Sequence, residues 1–376
     1  MKHINYLIKP ASSLCNLCCR YCFYADEAAN RAQESMGVMA PETVEALLDE
    51  TFRTIAPGGS VSFAFQGGEP TMAGLDYFRY FVRQAHAKCP PKVEISFSIQ
   101  TNGTLLDHNW AEFLHAENFL TGLSVDGFKD LHNANRIDAQ GKDTWNRVTK
   151  ALALLQKHHV AVNALCVVTG MCARSPEKAY RQLKKLGFDY IQFIACLDPL
   201  GMPRGGMPYS LTPAAYGSFL CRVFDLWYED WEKGAYHSIR MFDDYVHILL
   251  GDGGGTCATC GNCGSYLVVE GDGSVFPCDF YALDEWRLDR FGKDSLAEMA
   301  GGERAAAFLE LGRKKPPECS GCQWGRVCNG GCKNDWYTAD GVAHNYYCAA
   351  LKKLLDYAAP RLMRIVQAET SARRNR

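Results

Sequence analysis

No stretch of the chain approaches the roughly 18 to 20 uninterrupted apolar residues that a helix needs to cross a bilayer, so a membrane-spanning helix is not expected. Charge of one sign is missing too: 40 Lys and Arg stand against 42 Asp and Glu. Without a basic or acidic field, binding to nucleic acid or to an anionic membrane surface is not expected, and ligands must be recognised in a pocket. The start, Met1-Lys2-His3-Ile4-Asn5, lacks an apolar core of signal-peptide length. There is no internal repeat and no low-complexity tract. What the chain does have is cysteine, 18 in 376 residues, and with no secretory signal this argues against a disulfide framework and for a reducing, cytoplasmic setting.

The length suits a barrel-sized domain followed by a smaller one. Up to about residue 235, short β-rich runs alternate with segments of helical period, which predicts repeated βα units around a parallel sheet. The expected strands are 4–8, 61–65, 93–99, 120–125, 160–168 and 190–195, with helices near 41–56, 74–88, 107–117, 143–158 and 175–186. Six units predict a partial (β/α)6 barrel over 1–235 rather than the closed eight. Residues 236–376 then hold linker helices, a small cysteine-rich α+β domain and a C-terminal helix. Residues 212–250 read as helical and amphipathic and link the two domains, 266–277 as a β-hairpin with a glycine turn, and Ser371 to Arg376 as a frayed tail.

A parallel barrel carries its chemistry on loops at the carboxyl ends of its strands. After the first expected strand comes Cys15-Asn16-Leu17-Cys18-Cys19-Arg20-Tyr21-Cys22-Phe23-Tyr24. In a CxxxCxxC triplet, Cys15, Cys19 and Cys22 can hold three corners of a four-iron cluster and leave its fourth iron open. That iron can chelate S-adenosyl-L-methionine and pass an electron into its sulfonium, yielding a 5′-deoxyadenosyl radical. A zinc knuckle competes, since Cys15-x2-Cys18 and Cys19-x2-Cys22 are each acceptable zinc pairs. The aromatic residues around Cys22 suit a dry cofactor lip better, and Cys18 is then a spectator. The triplet resembles that of the radical SAM superfamily.

On that resemblance, Gly67-Gly68-Glu69-Pro70 after the second strand meets the methionine amino group, with Gly68 as a contact and Glu69 as its support. Ser124 and Arg136 match positions that hold the methionyl carboxylate, and a hydroxyl and a guanidinium suit that group. Tyr21 and Leu197 flank the adenine by the same likeness. Read without it, Gly67–Pro70 is a turn and Arg136 a surface ion pair.

The second cysteine region supplies Cys257, Cys263, Cys278, Cys319, Cys322, Cys328, Cys332 and Cys348, enough thiolates for two fully ligated four-iron clusters. Its Cys319-x2-Cys322-x5-Cys328-x3-Cys332 core resembles the SPASM extension of radical SAM enzymes; zinc ribbons compete. The resemblance implies Cys257, Cys263, Cys278 and Cys332 on a first auxiliary cluster and Cys319, Cys322, Cys328 and Cys348 on a second. That makes three [4Fe-4S] clusters in all, with Cys260 left over, although Cys257-x2-Cys260-x2-Cys263 offers two alternative ligand choices. Asp279, next to Cys278 and flanked by Phe276, Phe280 and Tyr281, is a candidate base in a partly desolvated setting. Exposed clusters of this kind are oxygen-sensitive, which points to an anaerobic host.

Ile8-Lys9-Pro10-Ala11-Ser12-Ser13 before the triplet, Cys196-Leu197-Asp198-Pro199-Leu200, Val275-Phe276-Pro277-Cys278-Asp279-Phe280-Tyr281 and Asn345-Tyr346-Tyr347-Cys348 look like the anaerobic sulfatase-maturating enzymes over nearly the whole chain. The resemblance implies oxidation of a cysteine or serine in an unfolded sulfatase polypeptide to Cα-formylglycine, with Asp279 removing the thiol or hydroxyl proton and Tyr24 at the substrate lip. A low-potential donor such as flavodoxin or ferredoxin would supply the electron. Two other readings compete: another SPASM-type peptide-modifying enzyme such as a thioether maturase, and a zinc-binding adaptor.

Overall fold

The computed structural model describes residues 1–374; Asn375 and Arg376, the end of the tail expected to fray, lie outside the described residues. The earlier part of that tail is ordered instead, because Ser371–Arg374 complete a helix that runs from Cys348 to Arg374.

All six expected strands form, within two residues of their expected bounds. They are β1 (His3–Ile8), β2 (Ser60–Phe65), β3 (Glu94–Thr101), β4 (Leu120–Ser124), β5 (Ala161–Val168) and β6 (Tyr190–Ala195). Helices Pro41–Thr54, Leu75–Lys88, His108–Ala116, Trp145–Lys157 and Pro176–Lys185 alternate with them. Local chemistry sets the helix starts: Pro41 fills a first-turn position and the Asp107 carboxylate accepts from Trp110 N.

The described chain divides into two compact units, and neither is one continuous stretch. The first holds 1–125, 132–163 and 264–308. In it β1 to β4 pair in parallel, with Ile4, Tyr6 and Ile8 of β1 buried at alternate positions. The expected hairpin forms as β8 (Leu267–Val269) and β9 (Ser274–Phe276); β8 pairs in parallel with β1, and β10 (Asp289–Arg290) closes that edge. Because the hairpin extends the β1 sheet, the division expected near residue 235 does not coincide with the units. Aromatic rings fill this core: Phe63 lies 5.2 Å from Phe81 and 5.8 Å from Phe97, and Phe65 5.0 Å from Phe81.

The second unit holds 126–131, 164–263 and the chain from 309 onward. From Ala164 on, β5 pairs in parallel with β6, which pairs with β7 (Ser238–Ile239). The helical region expected over 212–250 forms two helices, Pro213–Glu232 and Arg240–Leu250, separated where Gly234 takes φ 70°. The helix Cys348–Arg374 lies on the first of these, with Arg361 2.7 Å from Asp225 and 4.8 Å from the Phe224 ring. A hairpin of β11 (Trp336–Ala339) and β12 (Val342–Asn345) precedes it. Among the described residues no helix is long and apolar enough to cross a membrane.

Candidate active site

The cysteine triplet occupies the loop at the carboxyl end of β1, and the glycine loop after β2 pins it. Gly68 N donates to Ser12 O and Glu69 N to Leu14 O, each at 2.8 Å, while Ser12 itself sits at φ 48°. A Cβ at Gly68 would stand 2.2 Å from Leu14 O and 2.7 Å from Ser13 C, so only glycine lets the two loops meet. Further along, Cys18 N donates to Ile137 O and Arg20 N to Asn135 O, which ties the triplet to the segment carrying Arg136. Burial, then the neighbouring Glu69, Cys19 and Cys22, push the Cys15 thiol up to about 12, as expected for thiols crowded together before a cationic iron core offsets their charge. We expect Gly68→Ala to force the loops apart, costing at least about 1–3 kcal/mol from overpacking. Iron and sulfide analysis after anaerobic reconstitution checks this, with a lowered content as the outcome and wild-type loading as the refutation.

Glu69 is only 1% exposed and saturated with donors. It accepts from Thr71 N at 3.1 Å, Thr71 Oγ1 at 2.6 Å, Thr101 Oγ1 at 2.7 Å and Asn102 N at 2.7 Å. A carboxylate so occupied orients the β2 and β3 loops. Arg136 is buried rather than at the surface, with its guanidinium 5.4 Å from the Tyr21 ring centroid. Its carbonyl accepts from Thr144 Oγ1, which also meets His132 Nε2. Ser124 ends β4 and is half-buried, as is Leu197, which follows β6 in the second unit. Asn16 and Asn102, which sequence reasoning passed over, bond each other at 2.9 Å beside Cys15.

Asp279 follows β9 in the first unit and is 6% exposed. The sequence predicts a partly desolvated setting, and Phe280 does pack edge-on against Phe23 with ring centroids 5.0 Å apart. The carboxylate, however, has charged and polar partners: Lys9 Nζ lies 2.5 Å from Oδ1 and Gln66 Nε2 3.2 Å from Oδ2. Lys9 is wholly buried and was not singled out from the sequence; its signal is a cation directly after an apolar strand. Tyr24, expected at the substrate lip, is 2% exposed; its hydroxyl donates to Glu270 and its ring lies 3.5 Å from the Lys9 ammonium.

In the second unit, Cys319, Cys322, Cys328 and Cys348 line one pocket together with Trp324, Asn345 and Lys352. Burial, then its thiol neighbours, push Cys328 up to about 11, and Cys319 and Cys348 shift the same way. Among the described residues no three His, Cys, Asp or Glu side chains gather as ligands of a single ion. Four thiols that line one pocket without converging on a single-ion position suit a cluster whose ligands sit on separate irons. Cys257, Cys263 and Cys332 belong to the second unit and Cys278 to the first. The Cys260 thiol donates to Gly254 O at 2.9 Å.

The radical SAM superfamily pattern matches residues 10–183, and an iron-sulfur cluster-binding (SPASM) domain matches 257–323. The cysteine-type anaerobic sulfatase-maturating enzyme of Clostridium perfringens (strain ATCC 13124) is 43% identical, over 97% of this chain and 99% of its own. The serine-type enzyme of Bacteroides thetaiotaomicron is 30% identical, over 96% of this chain and 90% of its own. A solved structure, native anSMEcpe with bound AdoMet and Kp18Cys peptide, aligns with a TM-score of 0.92 at 42% identity, covering 97% of this chain and 99% of that one. Likeness of this extent, joined to a triplet loop clamped by its glycine neighbour and a pocket lined by four thiols, places the chain in the family of anaerobic sulfatase-maturating enzymes within the radical SAM superfamily.

Proposed function

We propose that the protein oxidises the target cysteine of an unfolded sulfatase segment to Cα-formylglycine, with S-adenosylmethionine and three four-iron clusters as cofactors. One observation carries the reading: Asp279 stands next to Cys278 with its carboxylate held by Lys9 at 2.5 Å and Gln66 at 3.2 Å. When bound, the cofactors supply a radical that removes a hydrogen atom from the substrate Cβ and an acceptor for the second electron. The side chains do the rest. Gly68 would present backbone to the methionine amino group, Ser124 and Arg136 would take its carboxylate, and Tyr21 and Leu197 would flank the adenine. Asp279 takes the thiol proton. Oδ1 carries the short bond from Lys9, so Oδ2, with only the longer bond from Gln66, is the receiving atom. The substrate thereby loses a hydrogen atom, a proton and an electron and becomes a thioaldehyde, which water converts to the aldehyde with release of hydrogen sulfide.

Two further parts of the reading are that a flavodoxin or ferredoxin supplies the electron for each turnover and that the protein works in the cytoplasm. A cysteine substrate is favoured because a thiol titrates near about 8.5, within reach of a carboxylate base, whereas a serine hydroxyl is far less acidic. The test is anaerobic incubation of reconstituted protein, reductant and S-adenosylmethionine with a Cys-x-Pro-x-Arg peptide and its serine counterpart, read by mass spectrometry. The expected result is exchange of sulfur for an aldehyde oxygen in the cysteine peptide, faster than oxidation of the serine peptide. Production of 5′-deoxyadenosine with neither peptide altered rejects the assignment and keeps the radical chemistry.

A further inference from the structure

Behind Asp279 the first unit encloses charged groups that the proposed reaction does not use. Tyr24 and Glu27 come from the helix Phe23–Ala29, Arg31 from the turn after it, and Glu270 from the end of β8. Tyr24 and Glu27 are each 2% exposed, Glu270 0% and Arg31 7%. Arg31 Nη1 lies 2.7 Å from Glu270 Oε1, and the Tyr24 hydroxyl donates to that same oxygen. The Tyr24 ring carries Lys9 Nζ at 3.5 Å from its centroid and the Arg31 guanidinium carbon at 5.2 Å. Glu270 Oε2, Arg31 Nε and Arg31 Nη2 have no hydrogen-bond partner.

Stability does not account for this arrangement. Buried ion pairs replaced by apolar residues of similar volume are often neutral or stabilising, and here three polar atoms are left unsatisfied as well. What the arrangement does achieve is geometric. A lysine stem has four flexible carbons and a compact ammonium, so Lys9 alone would not fix the carboxylate that it pairs with. The Tyr24 ring supplies a floor for that ammonium, and the bond to Glu270, itself held by Arg31, stops the ring from moving.

We infer that Tyr24, Glu270 and Arg31 form a buried positioning unit which fixes the Lys9 ammonium, and through it the Asp279 carboxylate, in the orientation that receives the substrate proton. The inference rests on the role proposed for Asp279, and the test separates the two.

Tyr24→Leu removes the ring, Tyr24→Phe keeps the ring and removes the hydroxyl, and Glu270→Gln weakens the anchor. Each reconstituted variant is assayed for 5′-deoxyadenosine formed per peptide oxidised, for the peptide KM, and for peptide binding by anaerobic calorimetry. Thermal unfolding of the unloaded protein reports folding. A misplacement of about 1 Å can cost about a hundredfold, so Tyr24→Leu should raise the ratio of deoxyadenosine to oxidised peptide by at least about tenfold, with KM and peptide affinity within about threefold of wild type. Tyr24→Phe should restore most of the coupling. Wild-type coupling in Tyr24→Leu or, should that variant not fold, in Glu270→Gln overturns the positioning unit, as does a change confined to KM. Undiminished oxidation by Asp279→Asn instead overturns the base assignment on which it rests.

Discussion

Asp279→Asn is expected to lower formylglycine formation by about a hundredfold to ten-thousandfold, the usual range for removing a positioned general base, while 5′-deoxyadenosine continues to form. The substitution also strips Lys9 of its counter-ion. Lys9 is wholly buried and its partner nearly so, and breaking such a pair from one side costs about 3–5 kcal/mol because a charge is left uncompensated. A low rate could therefore reflect a damaged fold. The double substitution Lys9→Met with Asp279→Asn separates these causes, since methionine keeps the stem volume and removes the buried charge. Stability should recover toward wild type while oxidation stays lost. Recovery of oxidation together with stability would show that Asp279 acts only as the counter-ion of Lys9, and the proposed proton acceptor would have to be sought elsewhere.

The parallel sheet was legible because its strands alternate buried and exposed positions and are spaced by helices with readable starts. β1 and β2 show this, burying Ile4, Tyr6 and Ile8, and Val61, Phe63 and Phe65. The triplet, the glycine loop and Asp279 were legible because cysteine spacing and glycine carry local meaning. Lys9, Glu270 and Arg31 were not. Their roles depend on β8 pairing with β1 across more than two hundred residues of sequence, as the register Ile8 to Val269 shows, and no local pattern encodes a parallel partner at that distance. The hairpin itself was read correctly from its Gly271-Asp272-Gly273 turn; the sheet it joins was not. Tyr24, expected at the substrate lip, lies on a short helix that begins at Phe23 and is 2% exposed, a burial that its position after the triplet does not encode.

Glu27→Gln is expected to stabilise the protein by up to about 3 kcal/mol near pH 7, an unusual sign for a change to a buried residue. Burial, and after it the charge of Asp279, push the Glu27 carboxyl up to about 9, against the opposing pull of Lys9 and Arg31. In the unfolded chain the same group titrates near 4.5. The folded protein therefore holds a proton that the unfolded chain releases. The stabilisation from that bound proton is complete below the unfolded value and is lost progressively as pH rises toward the folded one, at about 1.4 kcal/mol per pH unit. Glutamine imitates the protonated acid and does not titrate, so the two proteins should be closest in stability near pH 5 and diverge as the medium becomes alkaline. Glu27 Oε2 has no hydrogen-bond partner, so the exchange breaks no bond at that atom. Urea unfolding under anaerobic, reducing conditions across about pH 5 to pH 9 reads the difference directly; parallel stability curves would mean that Glu27 is ionised in the folded state. A protonated Glu27 also balances the enclosure, leaving the cations Lys9 and Arg31 against the anions Asp279 and Glu270. On that balance Glu27→Gln should keep peptide oxidation near the wild-type rate while raising stability, the reverse of what is expected for Asp279→Asn.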